Sequence, residues 1–281
     1  MSKYKLLPAH LQPIADAAEL VIKLKLNTGN PFVESAIDPK ISWSPTFYWK
    51  TTTGFIACEV HESPFPVSVR LAFSDIIASG LPIKIIVVHP SNTSRMQAEY
   101  IKELNEVKRL GCGVLTIGDD GIGSFQHQGI ELSLFIPPPK FSSFAQKIRA
   151  AIEHAYDIYI NGDPRHGVQE IGQLIENAII NLADQAKKNG KLASGGFISP
   201  TVHYAQGNLI DDLMRDRIID NAILGKCRGF VEDRNGSSHR PKSVKQTIEV
   251  NKKLKNAMAA GFLILEDLPK KMKEKGFSMR I

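Results

Sequence analysis

The stretch "IKIIVVHP" (residues 83–90) is an almost continuous run of β-branched apolar residues. Such a run is typical of a strand that is buried on both faces of a sheet. A second run of this kind, "GVLTI", occupies residues 113–117. The segment between the two runs predicts a helix over 95–111, because its apolar residues recur at helical spacing and it ends at Gly111. Buried strands that alternate with helices predict an α/β domain with a mixed sheet.

The same alternation extends to both sides of these strands. A turn at Gly54 separates two short β-branched and aromatic runs, and the loop "GDDGIG" (118–123) follows the second buried strand. The predicted elements of this half are, in chain order, helix 10–25, strands 46–50 and 55–60, helix 66–79, strand 83–90, helix 95–111, strand 113–117 and a last strand, "IELSLFI", at 130–136.

The stretch "PPPK" (137–140) interrupts the pattern, and nearly everything after it is predicted to be helical. The predicted helices of this half cover residues 141–159, 168–186, 210–223 and 244–268. The sequence therefore predicts an α+β protein of two domains. An α/β mixed-sheet domain covers residues 1–139 and an all-α helical bundle covers residues 140–281.

Composition limits the function classes. The net charge is +6 and the pI is about 9.1, which favours a polyanionic partner. The three cysteines form no CxxC pair, so they suggest a reducing compartment and no zinc knuckle. No signal peptide and no apolar stretch of about 18 residues is present, so we predict a cytoplasmic protein with no membrane partner.

The stretch "EDRNGSSHRPKS" (232–243) is too polar for a core, and its glycine and serines disfavour a helix interior. An apolar helical pattern resumes directly after it. Arg234 and His239 therefore lie at a break before a long helix, where they are candidates for a phosphate site. The start of that helix would add free N–H groups that attract an anion. A structural alternative is that Arg234 pairs with a carboxylate, Asn235 and Gly236 form a turn, and His239 begins the helix.

These residue types suit RNA cleavage without a metal. RNA has a 2′-hydroxyl beside each phosphodiester, and a histidine with a pKa near neutrality can accept its proton. The planar guanidinium of an arginine matches phosphate geometry and stabilises charge on the reacting phosphorus oxygens. His239 and Arg234 would supply these groups, and Asn235 would orient them through hydrogen bonds. We predict that the cations Arg240, Lys242 and Lys245 bind RNA phosphates, although lysines on an exposed helix face also serve as ordinary solvated residues.

An all-helical unit with R-N-x-x-x-H before its last long helix resembles the HEPN superfamily, and the resemblance covers residues 141–276. It implies an endoribonuclease of toxin or antiphage-defence type, with Arg234, Asn235 and His239 in its site. It also implies a 2′,3′-cyclic phosphate product, no cofactor and a homodimer through the C-terminal domain. Many domains of this superfamily bind nucleotides or partner proteins without cutting, so a non-catalytic module is the alternative.

The N-terminal half resembles restriction-endonuclease-like, or PD-(D/E)xK, domains in the order of its strands and helices. Pro45 precedes Thr46, which stands where this family has an aspartate. Glu59 matches the acidic position, but His61 stands where the family has a lysine. Magnesium in such sites is normally held by two carboxylates. The resemblance therefore implies a degenerate domain that senses or restrains, and a metal-dependent DNA nuclease centred on Glu59 and His61 is a further alternative.

Overall fold

The computed structural model describes residues 3–27, 29–91, 98–192, 206–236 and 240–279. These residues form eight α-helices and one mixed sheet of six strands. The strands are β1 (Phe32–Val33), β2 (Phe47–Lys50), β3 (Phe55–Val60), β4 (Ile83–Pro90), β5 (Gly113–Ile117) and β6 (Gly123–His127). The helices are α1 (Gln12–Leu26), α2 (Val67–Ser79), α3 (Ala98–Arg109), α4 (Gln146–Ile160), α5 (Pro164–Lys188), α6 (Gln206–Arg215), α7 (Asn221–Gly236) and α8 (Val244–Glu274).

The chain divides into two compact units whose residues interleave along the sequence. The first unit comprises residues 1–137, 160–164 and 240–252, and the second comprises residues 138–159, 165–239 and 253–281. The sheet and helices α1 to α3 belong to the first unit. The N-terminal end of α8, up to Lys252, also belongs to the first unit, although the rest of that helix belongs to the second.

The strands of the sheet lie side by side in chain order. The pairs β1–β2, β2–β3 and β5–β6 are antiparallel, whereas β3–β4 and β4–β5 are parallel. The parallel pairs are joined through α2 and α3, since parallel neighbours need a crossover connection. The carboxyl ends of β3, β4 and β5 therefore lie at one edge, and Glu59 is near that edge, paired in register with Val87.

Two apolar clusters cover the two faces of the sheet. Cys58 and Leu115 face the cluster that contains α1, whereas Ala57 and Val114 face the cluster that contains α2 and α3. Strand β4 contributes residues to both clusters. This two-sided burial explains why its sequence shows no polar alternation.

The last strand is not where the apolar pattern placed it. Residues 130–136 contain a 3-10 turn at Leu132–Leu134, and Glu131 pairs with Lys84 in an isolated bridge. The strand that completes the sheet is β6, at Gly123–His127. The prediction of a strand at 130–136 was wrong because an apolar run reports burial, and Leu132 and Leu134 are buried without lying in a ladder.

The second unit is helical, and its close packing depends on a glycine. A Cβ atom at Gly261 on α8 would lie 2.4 Å from Cγ2 of Ile171 on α5 and 3.2 Å from Cε2 of Phe230 on α7. Helix α8 therefore approaches α5 and α7 closely through Gly261, and this packing fixes the three helices relative to one another.

The predicted helix over 210–223 is two helices. Helix α6 ends at Arg215, and Arg217 has a left-handed backbone with φ of 50°. The Asp220 carboxylate accepts a hydrogen bond of 2.8 Å from the Ala222 N–H and so caps the start of α7. Within the described part of the chain, no helix combines the length and the apolar character needed to span a membrane.

Candidate functional site

Arg234 and Asn235 lie in the last helical turn of α7, which ends at Gly236. The sequence had suggested a break at these residues, because a glycine and two serines follow them closely. Phe230 and Val231 are buried one turn earlier and anchor this end of the helix in the second unit. The Arg-Asn pair is therefore presented by a packed helix, and Asn235 is exposed at its surface.

The Arg234 side chain lies against α5. A Cβ atom at Gly172 would be 2.9 Å from Nη1 of Arg234 and 3.2 Å from its Cδ, so the Arg234 side chain keeps this position only beside a glycine. Nη1 lies 3.9 Å from Oε2 of Glu176, one turn further along α5. That distance is too long for a charge-assisted hydrogen bond. The Arg234 side chain thus packs against α5, and 25% of it is exposed.

A second cation lies at the same end of α7. A Cβ atom at Gly236 would be 2.9 Å from Nζ of Lys253, which lies on α8 and is exposed. Sequence reasoning missed Lys253, since it is one of several lysines in the polar stretch of α8. Gly236 gives no sequence signal of this contact, because only the packing of α7 on α8 brings Gly236 and Lys253 together.

The other predicted residues of this site do not all fall in one unit. Arg240, Lys242 and Lys245 are exposed and belong to the first unit, whereas Arg234 and Asn235 belong to the second. His239 lies outside the described residues.

The start of α8 is capped by its own side chains. Ser243 Oγ accepts a hydrogen bond of 3.3 Å from the Gln246 N–H, and Gln246 Oε1 accepts one of 2.7 Å from the Lys242 N–H. This arrangement is a variant of the capping box. It occupies the Gln246 N–H, one of the first-turn donors that the sequence predicted to attract an anion.

In the first unit, Glu59 is a buried hydrogen-bond acceptor. One carboxylate oxygen accepts a hydrogen bond of 2.6 Å from Ser68 Oγ, and the other accepts one of 3.2 Å from the Thr46 N–H. Burial raises the pKa of Glu59, and these hydrogen bonds, the electrostatic influence of His61 and the nearby Trp43 indole oppose the rise. Trp43 Nε1 is buried and makes no hydrogen bond within the described residues, yet it is near enough to influence this pKa.

Thr46 and His61 have structural contacts of their own. Thr46 Oγ1 accepts a hydrogen bond of 3.0 Å from the Val60 N–H, which links the ends of β2 and β3. His61 is exposed, and its Nδ1 accepts one of 2.9 Å from the Ser63 N–H in the following loop. The Thr46 hydroxyl is therefore already used in the fold. Of Thr46, Glu59 and His61, Glu59 alone has a carboxylate.

The described residues contain no group of three or more His, Cys, Asp or Glu residues placed to hold a metal ion. All three cysteines are buried, and burial raises the pKa of Cys112 and of Cys227 to about 12. At neutral pH these thiols are protonated and poor nucleophiles.

A cavity of about 400 Å³ lies in the second unit at the start of α7 and the end of α8. Its walls carry charges of both signs, and Lys271 is already paired with Glu274 at 2.9 Å. The carboxylate of Asp220 caps α7 here and opposes an anion. The cavity therefore does not favour a phosphate ligand, and it contains none of the residues that the sequence singled out.

No protein-family model, curated protein or solved structure matches this chain. A function is therefore inferred from its own residues.

Proposed function

We propose that the helical part of this protein is a metal-independent endoribonuclease whose site contains Arg234, Asn235 and His239. The observation that carries the proposal is the placement of Arg234 and Asn235 on the last turn of α7, with the arginine packed over Gly172. Catalysis by positioned charges requires groups held on rigid elements, and this helix end meets that requirement. The resemblance to the HEPN superfamily gives the same assignment from the sequence.

The proposed reaction is an internal transfer within RNA. His239 accepts the proton of a 2′-hydroxyl, and the 2′-oxygen attacks the adjacent phosphorus. The bond from phosphorus to the 5′-oxygen breaks, and that oxygen takes a proton from the imidazolium or from water. Arg234 stabilises the negative charge that builds on the phosphorane oxygens, and Asn235 orients the reacting groups. The products are a 2′,3′-cyclic phosphate and a 5′-hydroxyl.

The proposal includes a homodimer through the helical part, with the two copies of the motif facing one cleft. One arginine and one histidine provide few groups for a reaction that needs both a base and an acid. Two copies would supply both groups. The resemblance also places such an activity among toxins or antiphage-defence proteins.

The test is cleavage of RNA and of DNA by the protein, each with and without a chelator. Cleavage of RNA that survives chelation and is lost in His239→Ala and in Arg234→Ala is the expected result. His166→Ala is the matched control, because His166 is an exposed histidine of the second unit whose partner is Glu170. RNA that binds but stays intact would instead indicate a non-catalytic module.

A metal-dependent DNA nuclease at Glu59 is less well supported. The Glu59 carboxylate already accepts hydrogen bonds from Ser68 and Thr46, and the second carboxylate of such a site is replaced by the Thr46 hydroxyl. Cleavage of DNA that disappears in chelator and in Glu59→Gln would reverse this preference.

A further inference from the structure

We infer that Lys253 binds a second phosphate of the substrate, so that the site takes a polynucleotide strand in preference to a mononucleotide. This inference rests on the proposed function, because it assigns Lys253 to the site of Arg234.

The geometry comes from two glycine contacts on one helical turn. Arg234 leans on α5 at Gly172, and Gly236 meets the Lys253 ammonium on α8. Residues two apart on an α-helix point about 200° apart around its axis. The guanidinium and the ammonium therefore approach the end of α7 from two different sides. The exposed Asn235 lies between Arg234 and Gly236 in the chain.

Charges of both signs lie near this end of α7. Oε2 of Glu176 lies 3.9 Å from Nη1 of Arg234. Glu232, on the same helix, pairs with Arg228 at 3.6 Å. A lysine ammonium acts on phosphate as a compact point charge, whereas arginine offers a planar fork. Lys253 thus suits a neighbouring phosphate, and Arg234 suits the reacting one.

A structural role for Lys253 makes a different prediction. A cation near a helix C-terminus interacts favourably with the last carbonyl groups and the helix dipole. If this were its whole role, removing the charge would lower the stability of the protein and leave RNA binding unchanged. Binding and its salt dependence therefore separate the two roles.

The experiment measures binding of a single-stranded 2′-O-methyl oligoribonucleotide, which has no free 2′-hydroxyl and so is not cleaved by the proposed reaction. The dissociation constant is determined at several salt concentrations for the wild type and for Lys253→Gln. Each phosphate contact with a single strand contributes about 0.7 to the slope of log K against log salt. We expect Lys253→Gln to lower the slope by about 0.7. If the two proteins bind equally at 1 M salt, this difference corresponds to about fivefold weaker binding at 0.1 M salt.

Three further variants sharpen the test. Lys253→Arg should keep the slope, because the charge remains. Gly236→Ala should weaken binding without removing a charge, since the new Cβ would lie 2.9 Å from the Lys253 Nζ and 3.2 Å from its Cδ and so displace the ammonium. Lys270→Gln is the control, because Lys270 is an exposed lysine of the same helix, about 25 Å from Lys253 along its axis.

Each outcome decides the inference separately from the proposed function. An unchanged affinity and slope in Lys253→Gln overturns it, even if the wild type cleaves RNA. A wild type that does not bind the oligonucleotide also overturns it. Binding that depends on Lys253 in a protein that leaves unmodified RNA intact supports the phosphate contact and refutes the proposed catalysis.

Discussion

Replacing Gly172 with alanine should lower RNA cleavage without lowering stability. The added Cβ would lie 2.9 Å from Nη1 of Arg234 and 3.3 Å from Cε1 of Phe230. Ordinary contacts between such atoms are about 3.5–4.0 Å, so the guanidinium must move by roughly 0.5–1 Å. Because the closest atom is at the far end of the flexible Arg234 side chain, this movement costs little, whereas the buried Phe230 ring must also shift by a few tenths of an ångström. A displacement of about 1 Å in a catalytic group reduces rates by up to about 100-fold.

The effect on folding has the opposite sign. An alanine in a helix interior is favoured over a glycine by about 1 kcal/mol, and the contact with the Phe230 ring offsets part of this gain. For a protein of this size a gain of about 1 kcal/mol raises Tm by about 2–4 °C. We therefore expect cleavage of a short RNA to fall by about 10- to 100-fold, with Tm equal to or above that of the wild type.

The matched control is Gly225→Ala. Gly225 is exposed on α7, and a Cβ atom there would meet nothing within 4 Å. This variant should gain stability and keep full activity. Rates are compared well below Tm, with circular dichroism confirming that each variant is folded. Full cleavage by a folded Gly172→Ala protein would show that the position of Arg234 over α5 has no part in catalysis.

Three other predictions concern His239, the pairing of Arg234 with His239, and Glu59. His239→Ala should abolish RNA cleavage with little loss of stability, and a folded variant that still cuts would exclude His239 as the base. Mixed dimers of Arg234→Ala and His239→Ala subunits should recover part of the activity, whereas full-rate cleavage by a protein that light scattering shows to be monomeric would exclude a composite site. Glu59→Gln should leave RNA cleavage unchanged and should become more stable relative to the wild type as the pH rises above 4.5. Because burial raises the pKa of Glu59 in the folded protein, the native state binds more protons than the unfolded state above that value, and wild-type stability falls with rising pH until the folded pKa is passed. Urea denaturation at several pH values measures this difference, and a difference that shrinks with rising pH would contradict the assigned cause.

Much of the first unit follows from local signals. The β-branched runs at 83–90 and 113–117 predicted β4 and β5. Burial on both faces leaves a continuous apolar run, which can be recognised without knowing the neighbouring strands. The predicted helices 66–79 and 95–111 end at Gly80 and Gly111, and both glycines adopt the left-handed backbone, with φ of 66° and 76°, that favours glycine there. Polar strand β6 was missed, since an edge strand of five residues with exposed side chains carries little apolar signal.

For the candidate site, the sequence determined the residue types and their spacing, and the tertiary structure decided the extent of α7. The sequence by itself determined that an arginine, an asparagine and a histidine lie within six residues before a long helix, and this spacing is enough to suggest phosphate chemistry. It also suggested a break at Arg234, because glycine and serine have weak helix propensity. The tertiary structure decided that α7 continues to Gly236, since the burial of Phe230 and Val231 outweighs those propensities.

Contacts between distant residues were decided by the tertiary structure alone. The guanidinium of Arg234 reaches Gly172, the ammonium of Lys253 reaches Gly236, and Glu59 is enclosed by the start of α2. Helix periodicity states which residues share a face, but it does not state which face of another helix they meet. That choice depends on how whole apolar surfaces pack, so it arises only when the chain has folded.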